Sequence, residues 1–525
     1  WEGWEDSAVP PEKLGGYLRD LRDLMERYGY HGAYYGHFGQ GCIHLRIDFD
    51  LMTAEGISHF RSFIFDAADL CIGYGGSISG EHGDGQSRGE LLPRMFGDEL
   101  VDAFREFKAI WDPQWKMNPG KMVDAYPLDT NLRLGTDYQP PPVDTEFAYP
   151  DDHGSFAEAT LRCVGVGKCR RLGEGTMCPS FMATREEEHS TRGRARLLFE
   201  MLRGDPMAGG WRDEKVREAL DLCLACKGCK GECPVNVDMA TYKAEFLAHY
   251  YRGRLRPRSA YFFGLIMYWA RLAAMMPGMA NLATQWPLLR DISKAVVGVA
   301  RPRRIPAFPT SSFKQQYRRR RARGGDGRPV VILWPDTFNN HFHPGTAMAA
   351  VDVLEAAGFR VRVPDADLCC GRPLYDYGMI GLAKRLLRQV LATLREEIRQ
   401  GIPVVGLEPS CLSVFKDELV QLFPHDEDAL RLSRQCYTLG GFLEKRAPDL
   451  RLPTLKRQAL VHGHCHHKSV LDMGTDLKVL GRIGMEYTEL DSGCCGMAGA
   501  FGFESNHHDV AEKVGERVLL PAVRS

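Results

Sequence analysis

The 525-residue sequence predicts an α+β multidomain chain, and three observations carry the prediction. Residues 1–125 alternate strand-like and helical hydrophobic periods. The run Cys223-x-x-Cys226-x-x-Cys229-x-x-x-Cys233-Pro234 lies among helical segments. From residue 330 onward, strand–helix–strand units lead twice into a Cys-Cys-Gly triplet, at Cys369-Cys370-Gly371 and Cys494-Cys495-Gly496. Composition then divides the chain. Residues 1–125 come first, followed by a linker, 126–154, holding Pro140-Pro141-Pro142. An α-helical stretch, 155–255, carries seven cysteines; a connector, 256–328, follows; and a duplicated α/β region, 329–525, has repeats at about 330–436 and 437–525.

The bulk numbers exclude several classes. Hydrophobic residues make up 44% of the chain, enough for full cores. A net charge of −1 gives no global pointer to nucleic acid or to an anionic membrane. Sixteen cysteines, clustered rather than spread, do not resemble a secreted disulfide framework, so a reducing, cytoplasmic compartment is expected. The chain opens on Trp1 in an acidic stretch without an export signal, and more sequence is expected upstream.

In the first stretch, Gly39-Gln40-Gly41 reads as the turn of a hairpin. Ile43, Leu45, Ile47 and Phe49 alternate with His44, Arg46 and Asp48, so the period of two puts His44 and Arg46 opposite the core face. His37, just before the turn, can face His44 across the hairpin. A glycine-rich loop, 75–85, sets Glu81 and His82 in tandem. A lone strand histidine is more often structural than a ligand. Two histidines and a carboxylate together make a set for zinc or another divalent metal. Gly73-x-Gly75 is too loose for a dinucleotide fingerprint, and Cys42, Cys71 and Cys436 read as core residues.

The second stretch is iron–sulfur chemistry. Three cysteines at every third residue wrap a cubane, and the proline-flanked fourth of each motif serves the other cluster. Cys223, Cys226 and Cys229 with Cys178 therefore complete one 4Fe–4S set. Cys163, Cys169 and Cys233 form a second set with Val166 at the middle position. Three ligands could hold a 3Fe–4S cluster, a cubane with a non-cysteine fourth ligand, or nothing stable.

In the third stretch, Cys369 and Cys370 are followed by Cys411, while Cys465 precedes Cys494 and Cys495. Adjacent cysteines cannot both enter one hydrophobic core without strain, and both thiolates can serve one cluster or metal. Asn339-Asn340-His341 stands where the first copy would match Cys465, and the counterpart of Cys411 would fall past Ser525, so sequence is expected beyond that end too. In the connector, the uncharged run 260–270 is too short for a bilayer, which needs about 20 residues. It is expected to be a helix buried against a neighbouring domain, with a peripheral lipid contact as the minority reading; the arginine run at 318–325 reads as a solvated linker.

Gly36-His37-x-Gly39-x-Gly41-x-x-His44, Ser79-Gly80-Glu81-His82-Gly83 and Asn118-Pro119-Gly120-Lys121 resemble the C-terminal half of FAD-linked oxidases, with its ferredoxin-like α+β fold. The resemblance implies that His37, His44 and Glu81 hold the divalent metal and that His82 is the base. It places Gly80, Asn118 and Lys121 on the flavin side, with the main FAD domain upstream. The sequence departs from the family at Gly39-Gln40-Gly41-Cys42 and at Arg46, a reasonable anchor for a second substrate carboxylate. The Cys-Cys-Gly region resembles that of heterodisulfide reductases and of the iron–sulfur subunits of glycolate and glycerol-3-phosphate dehydrogenases. The order of stretches, flavin-oxidase half, α-helical ferredoxin domain and Cys-Cys-Gly repeats, resembles large fused bacterial dehydrogenases of D-2-hydroxy acids. It implies oxidation of D-2-hydroxyglutarate or D-lactate, with electrons passing from FAD through 4Fe–4S to a quinone or another external carrier. The enzyme would be cytoplasmic or peripheral on the inner membrane, and a homo-oligomer is compatible with this. Two rivals are a non-catalytic iron–sulfur subunit and a thiol–disulfide enzyme.

Overall fold

The computed structural model describes residues 3–320 and 327–525, so part of the arginine run, 321–325, lies outside the described residues. The chain forms two compact units, Trp1–Pro140 and Pro141–Ser525.

In the first unit, β1 (Ser7–Ala8), β2 (Gly32–His37) and β3 (Cys42–Ile47) make an antiparallel sheet in the order β1-β3-β2. The helices α1 (Leu14–Arg27) and α2 (Ala54–Gly73) pack with it. Ile43, Leu45 and Ile47 of β3 are buried among Leu21, Leu24, Phe63 and Ile64 of these helices, about 1.5–3 kcal/mol for each such side chain. Thr53 starts α2 by accepting the Gly56 N–H at 3.0 Å. Gly41 closes the hairpin at φ +75°, and a Cβ there would lie 2.0 Å from the Val9 carbonyl oxygen. The register refines one expectation: His44 stands opposite Tyr35 and His37 opposite Cys42, so the two histidines share a face as diagonal neighbours. His44 is also buried, because β3 is the central strand and its polar face is covered in turn.

In the second unit, helices α3 (Thr191–Arg203) and α4 (Met239–Tyr250) frame the cysteine loops. Four connector helices follow: α5 (Arg258–Phe263), α6 (Ile266–Met275), α7 (Pro277–Gln285) and α8 (Pro287–Val297). Strands β4 (Val330–Leu333), β5 (Arg360–Arg362), β6 (Val404–Gly406) and β7 (Cys436–Thr438) form a parallel sheet in the order β5-β4-β6-β7. A second parallel pair joins β8 (Gln458–Val461) and β9 (Glu486–Glu489). Both Cys-Cys-Gly triplets therefore follow a parallel strand, β5 or β9, at its C-terminal end.

The run 260–270 corrects the expectation of one buried helix. It is split between α5 and α6, with Ala260, Met267 and Ala270 inward and Tyr261, Tyr268 and Trp269 exposed. Small residues face in because the backbone comes close: a Cβ on Gly264 would meet the Tyr377 ring at 3.3 Å.

Candidate metal and electron-transfer sites

On the covered face of β3, the His44 ring lies between two carboxylates. Its Nδ1 is 3.2 Å from Glu5 Oε2 and its Nε2 3.0 Å from Glu81 Oε1. Nε2 of His37 and of His82 approach the same Glu81 oxygen at 3.4 and 3.5 Å. His82 stacks on His44 with ring centroids 4.9 Å apart, and Tyr35 stacks on His44 too. Three imidazoles converging on one carboxylate oxygen exceed what its lone pairs can accept comfortably, whereas a cation held by His37, His44 and Glu81 relieves that crowding. His37, His44 and Glu81 each offer a ligand atom within 4.8 Å of the others, and Glu5, His44 and His82 form a second such triple. The donor set fits a divalent ion. Arg46 extends from the same face, its Nη1 3.5 Å from Glu5 Oε1.

The loop is held from beneath. Asp6, fully buried at φ +53°, accepts the Glu81 and His82 N–H groups at 2.9 and 2.6 Å and the Ser79 hydroxyl at 2.9 Å. It also pairs with buried Arg88 at 2.9 Å. Burial pushes the Asp6 carboxyl up, but the two N–H donors and Arg88 outweigh it and the net shift is downward. Gly80 lies against the same support: a Cβ there would meet Ala8 at 2.9 Å and Cys42 Sγ at 3.3 Å. Asn118 (φ +48°) and exposed Lys121 sit on a turn anchored by the Met117 N–H on Asp112 and the Met122 N–H on the Gly85 carbonyl, both at 2.9 Å. The Asn-Pro-Gly-Lys turn is thus tied to the glycine-rich loop.

In the second unit, Cys178, Cys223, Cys226 and Cys229 are all buried. Burial lifts the Cys226 and Cys229 thiols, and the charges of neighbouring cysteines, Cys178 among them, lift both further. Cys178 moves the other way: burial opposes its thiolate, but the Arg194 guanidinium, 3.5 Å from its sulfur, prevails. Thiolate is the form that ligates iron, and cationic iron would offset the burial and mutual repulsion that raise these thiols. Cys169 is buried within reach of Cys163 and Cys178, Cys233 is half-buried, and Val166 is exposed.

The Cys-Cys-Gly thiols form two groups. The Cys370 thiol contacts Cys411 Sγ at 2.9 Å, with Cys369 beside it. Cys411 is lowered by that contact but lifted by burial and by Asp336 and Glu408, to about 11. Cys494 contacts both Cys465 and Cys495, and Cys495 is pushed up to about 12 by Cys494 and by burial. Asn340 does not join the first group: its side-chain oxygen accepts the Lys314 N–H at 3.1 Å.

Sequence reasoning missed Glu5, Asp6, Arg88, Arg194 and Lys227. Lys227 lies between Cys226 and Cys229 and is fully buried, with Nζ 3.0 Å from Asp238, 2.6 Å from Asp417 and 3.3 Å from Glu418. The one available signal was the Glu5-Asp6 pair, which reads as part of an acidic stretch.

Comparison with known proteins finds a family match in each of three stretches. Residues 1–122 match the family of FAD linked oxidases, C-terminal domain; residues 159–237 match the 4Fe-4S dicluster domain; and residues 336–416 match the cysteine-rich domain. The chain is 28% identical to a D-2-hydroxyglutarate dehydrogenase of Pseudomonas putida over 98% of its own length and 54% of the relative's. It is 25% identical to the Escherichia coli protein of that name over 96% and 53%. One of the subunits of the anaerobic glycerol-3-phosphate dehydrogenase of Escherichia coli is 27% identical over 45% of this chain and 61% of its own length. The chain spans about half the length of the first two relatives.

Proposed function

We propose that this chain, a relative of the D-2-hydroxyglutarate dehydrogenases along nearly its whole length, is the substrate-side and electron-transferring part of an FAD- and iron–sulfur-dependent dehydrogenase. It oxidises a D-2-hydroxy acid, D-2-hydroxyglutarate before D-lactate, to the 2-oxo acid. The convergence of His37, His44 and His82 on Glu81, with Arg46 on the same strand face, is the observation that carries this reading.

When bound, a divalent ion would polarise the C2 hydroxyl, the flavin would take the hydride, and 4Fe–4S would carry single electrons onward. His37, His44 and Glu81 hold the ion; Cys178, Cys223, Cys226 and Cys229 hold the cluster, with Cys163, Cys169 and Cys233 as the second set. Asn118, Lys121 and Gly80 serve the flavin side. His82, half-exposed, takes the hydroxyl proton at Nε2, beside the Glu81 carboxylate, and returns it to water. Arg46 binds the second carboxylate, which D-lactate lacks.

In the full-length protein, D-2-hydroxyglutarate reduces an acceptor dye, and Arg46→Ala raises its KM by about tenfold to a hundredfold, the worth of a charge-assisted hydrogen bond. The KM for D-lactate stays within about twofold. An equal change for both acids removes Arg46 from specificity, and a flavin that no such acid bleaches removes the whole reading.

The reading includes a peripheral lipid contact. No helix among the described residues is long and apolar enough to cross a membrane. Helices α5–α8 nonetheless expose Trp269, Leu272, Met275, Met279, Trp286 and Leu288, the last at 69%. Between residues 251 and 310, ten basic side chains stand against one acid, Asp291, and exposed Arg252, Arg254, Arg258, Arg301 and Arg304 bracket the helices. An apolar face framed by cations suits an anionic bilayer surface. The protein is expected to sediment with vesicles containing phosphatidylglycerol and not with phosphatidylcholine alone. The double change Trp286→Ser, Leu288→Ser weakens that binding about tenfold.

A further inference from the structure

Behind these helices lies a cavity of about 510 Å³. Phe262, Phe263 and Trp269 of the connector form one side, Phe342 and Phe503 add to the apolar lining, and Cys369, Cys370, Cys411 and Cys465 also face it. The volume is that of a small-molecule site. A cluster or metal on the thiols would account for the sulfur-lined part. It does not account for the aromatic part, whose side chains offer no ligand atom.

We propose that this cavity binds the ring of a lipid-soluble quinone and is the place where electrons leave the protein. The proposal rests on the dehydrogenase reading for the origin of its electrons. A quinone ring is flat and apolar, so the phenylalanine and tryptophan faces suit it. Its two carbonyl oxygens need donors, and the His343 and His464 rings lie in the same lining. The balance closes without another reactant. Conversion of the C2 hydroxyl to a ketone releases two electrons and two protons, and reduction of quinone to hydroquinone takes up two of each. Asp376 and Glu408, also in the lining, are groups through which protons can reach the ring. Asp376 is pushed up by burial, against the pull of Arg372, which favours a carboxyl that can carry a proton.

Access explains why the apolar surface and the cavity share elements. Trp269 lines the cavity and is still 44% exposed, so the wall there is one side chain thick. The same two helices, α6 and α7, expose Leu272, Met275 and Met279. A carrier dissolved in lipid can reach the cavity without crossing water.

The test uses the full-length holoenzyme and decylubiquinone, with no hydroxy acid present. Quinone addition is expected to quench tryptophan fluorescence saturably, and Trp269→Leu removes most of that quench. Ala273→Trp, which fills the cavity from α6, weakens quinone binding by about tenfold or more. When dithionite supplies the electrons, the ratio of quinone reduction to ferricyanide reduction falls by a similar factor in that variant. Quenching that never saturates, or an unchanged ratio, overturns the proposal. Because dithionite bypasses the substrate, a protein that passes electrons to quinone but ignores every hydroxy acid would sink the dehydrogenase reading alone. Where Ala273→Trp does not fold, the Trp269 quench in the parent protein decides by itself.

Discussion

Glu81→Gln in the full-length protein is expected to lower kcat/KM for D-2-hydroxyglutarate, the proposed substrate, by about a thousandfold, roughly 4 kcal/mol, and to abolish binding of a divalent ion while leaving the fold intact. One oxygen of Glu81 lies within hydrogen-bonding range of three imidazoles, so it is the charge that makes His37 and His44 a chelating pair. Glutamine keeps the shape and an acceptor oxygen but not the negative charge that anchors a divalent ion. The loop itself should survive, because Asp6 holds it through the backbone N–H groups of Glu81 and His82, which the substitution leaves in place. Metal analysis, steady-state kinetics and far-ultraviolet circular dichroism report the three quantities separately. Retention of both ion and activity would take Glu81 out of the ligand set.

Lys227→Met is expected to cost about 3–5 kcal/mol of stability and to lower the iron content per chain. Burial by itself would push the Lys227 ammonium down, but Asp238, Asp417 and Glu418 reverse this and hold it well above its ordinary value. Methionine fills similar space and leaves Asp238, Asp417 and Glu418 with Lys230 beside the two aspartates and Arg372 beside Glu418 as the remaining cations. The sign with pH is fixed by both partners. Asp238 is raised by burial but lowered overall by Lys227, so its contribution is present above the ordinary carboxylate range and fades as acid protonates it. The raised Lys227 contributes below its ordinary value and is lost only at higher pH. The gap between parent and variant in urea unfolding is therefore widest between about pH 4 and pH 10. A gap that is flat through acid would show that the carboxylates are compensated elsewhere. Since Lys227 sits inside the Cys226–Cys229 loop, iron should fall with stability; full iron at reduced stability would separate the two roles.

The chemistry was more legible than its supports. Cluster cysteines stand out because iron demands fixed spacings along the chain, and His44 stands out because strand alternation puts it opposite Ile43 and Leu45. Glu5 and Asp6 are invisible in the same way for a physical reason. They matter only because two-residue β1 pairs with β3 through Ser7 opposite Ile43, a contact made across the fold. Lys227 looks like an ordinary solvated position, and its partners Asp417 and Glu418 lie about 190 residues away on a single π turn, Val414–Glu418. Periodicity also misleads in the connector. An apolar run reads as one buried helix, yet the close approach at Gly264 divides it and leaves aromatic rings outside.

One adjacency governs how charge moves within the second unit. Cys226, Cys465 and Cys494 belong to a single buried group with Phe501. Tunnelling probability decays exponentially with separation, so clusters held by these cysteines would pass an electron without any segment having to swing. Such transfer would be indifferent to solvent viscosity, and slow turnover would then originate in chemistry or in the departure of products.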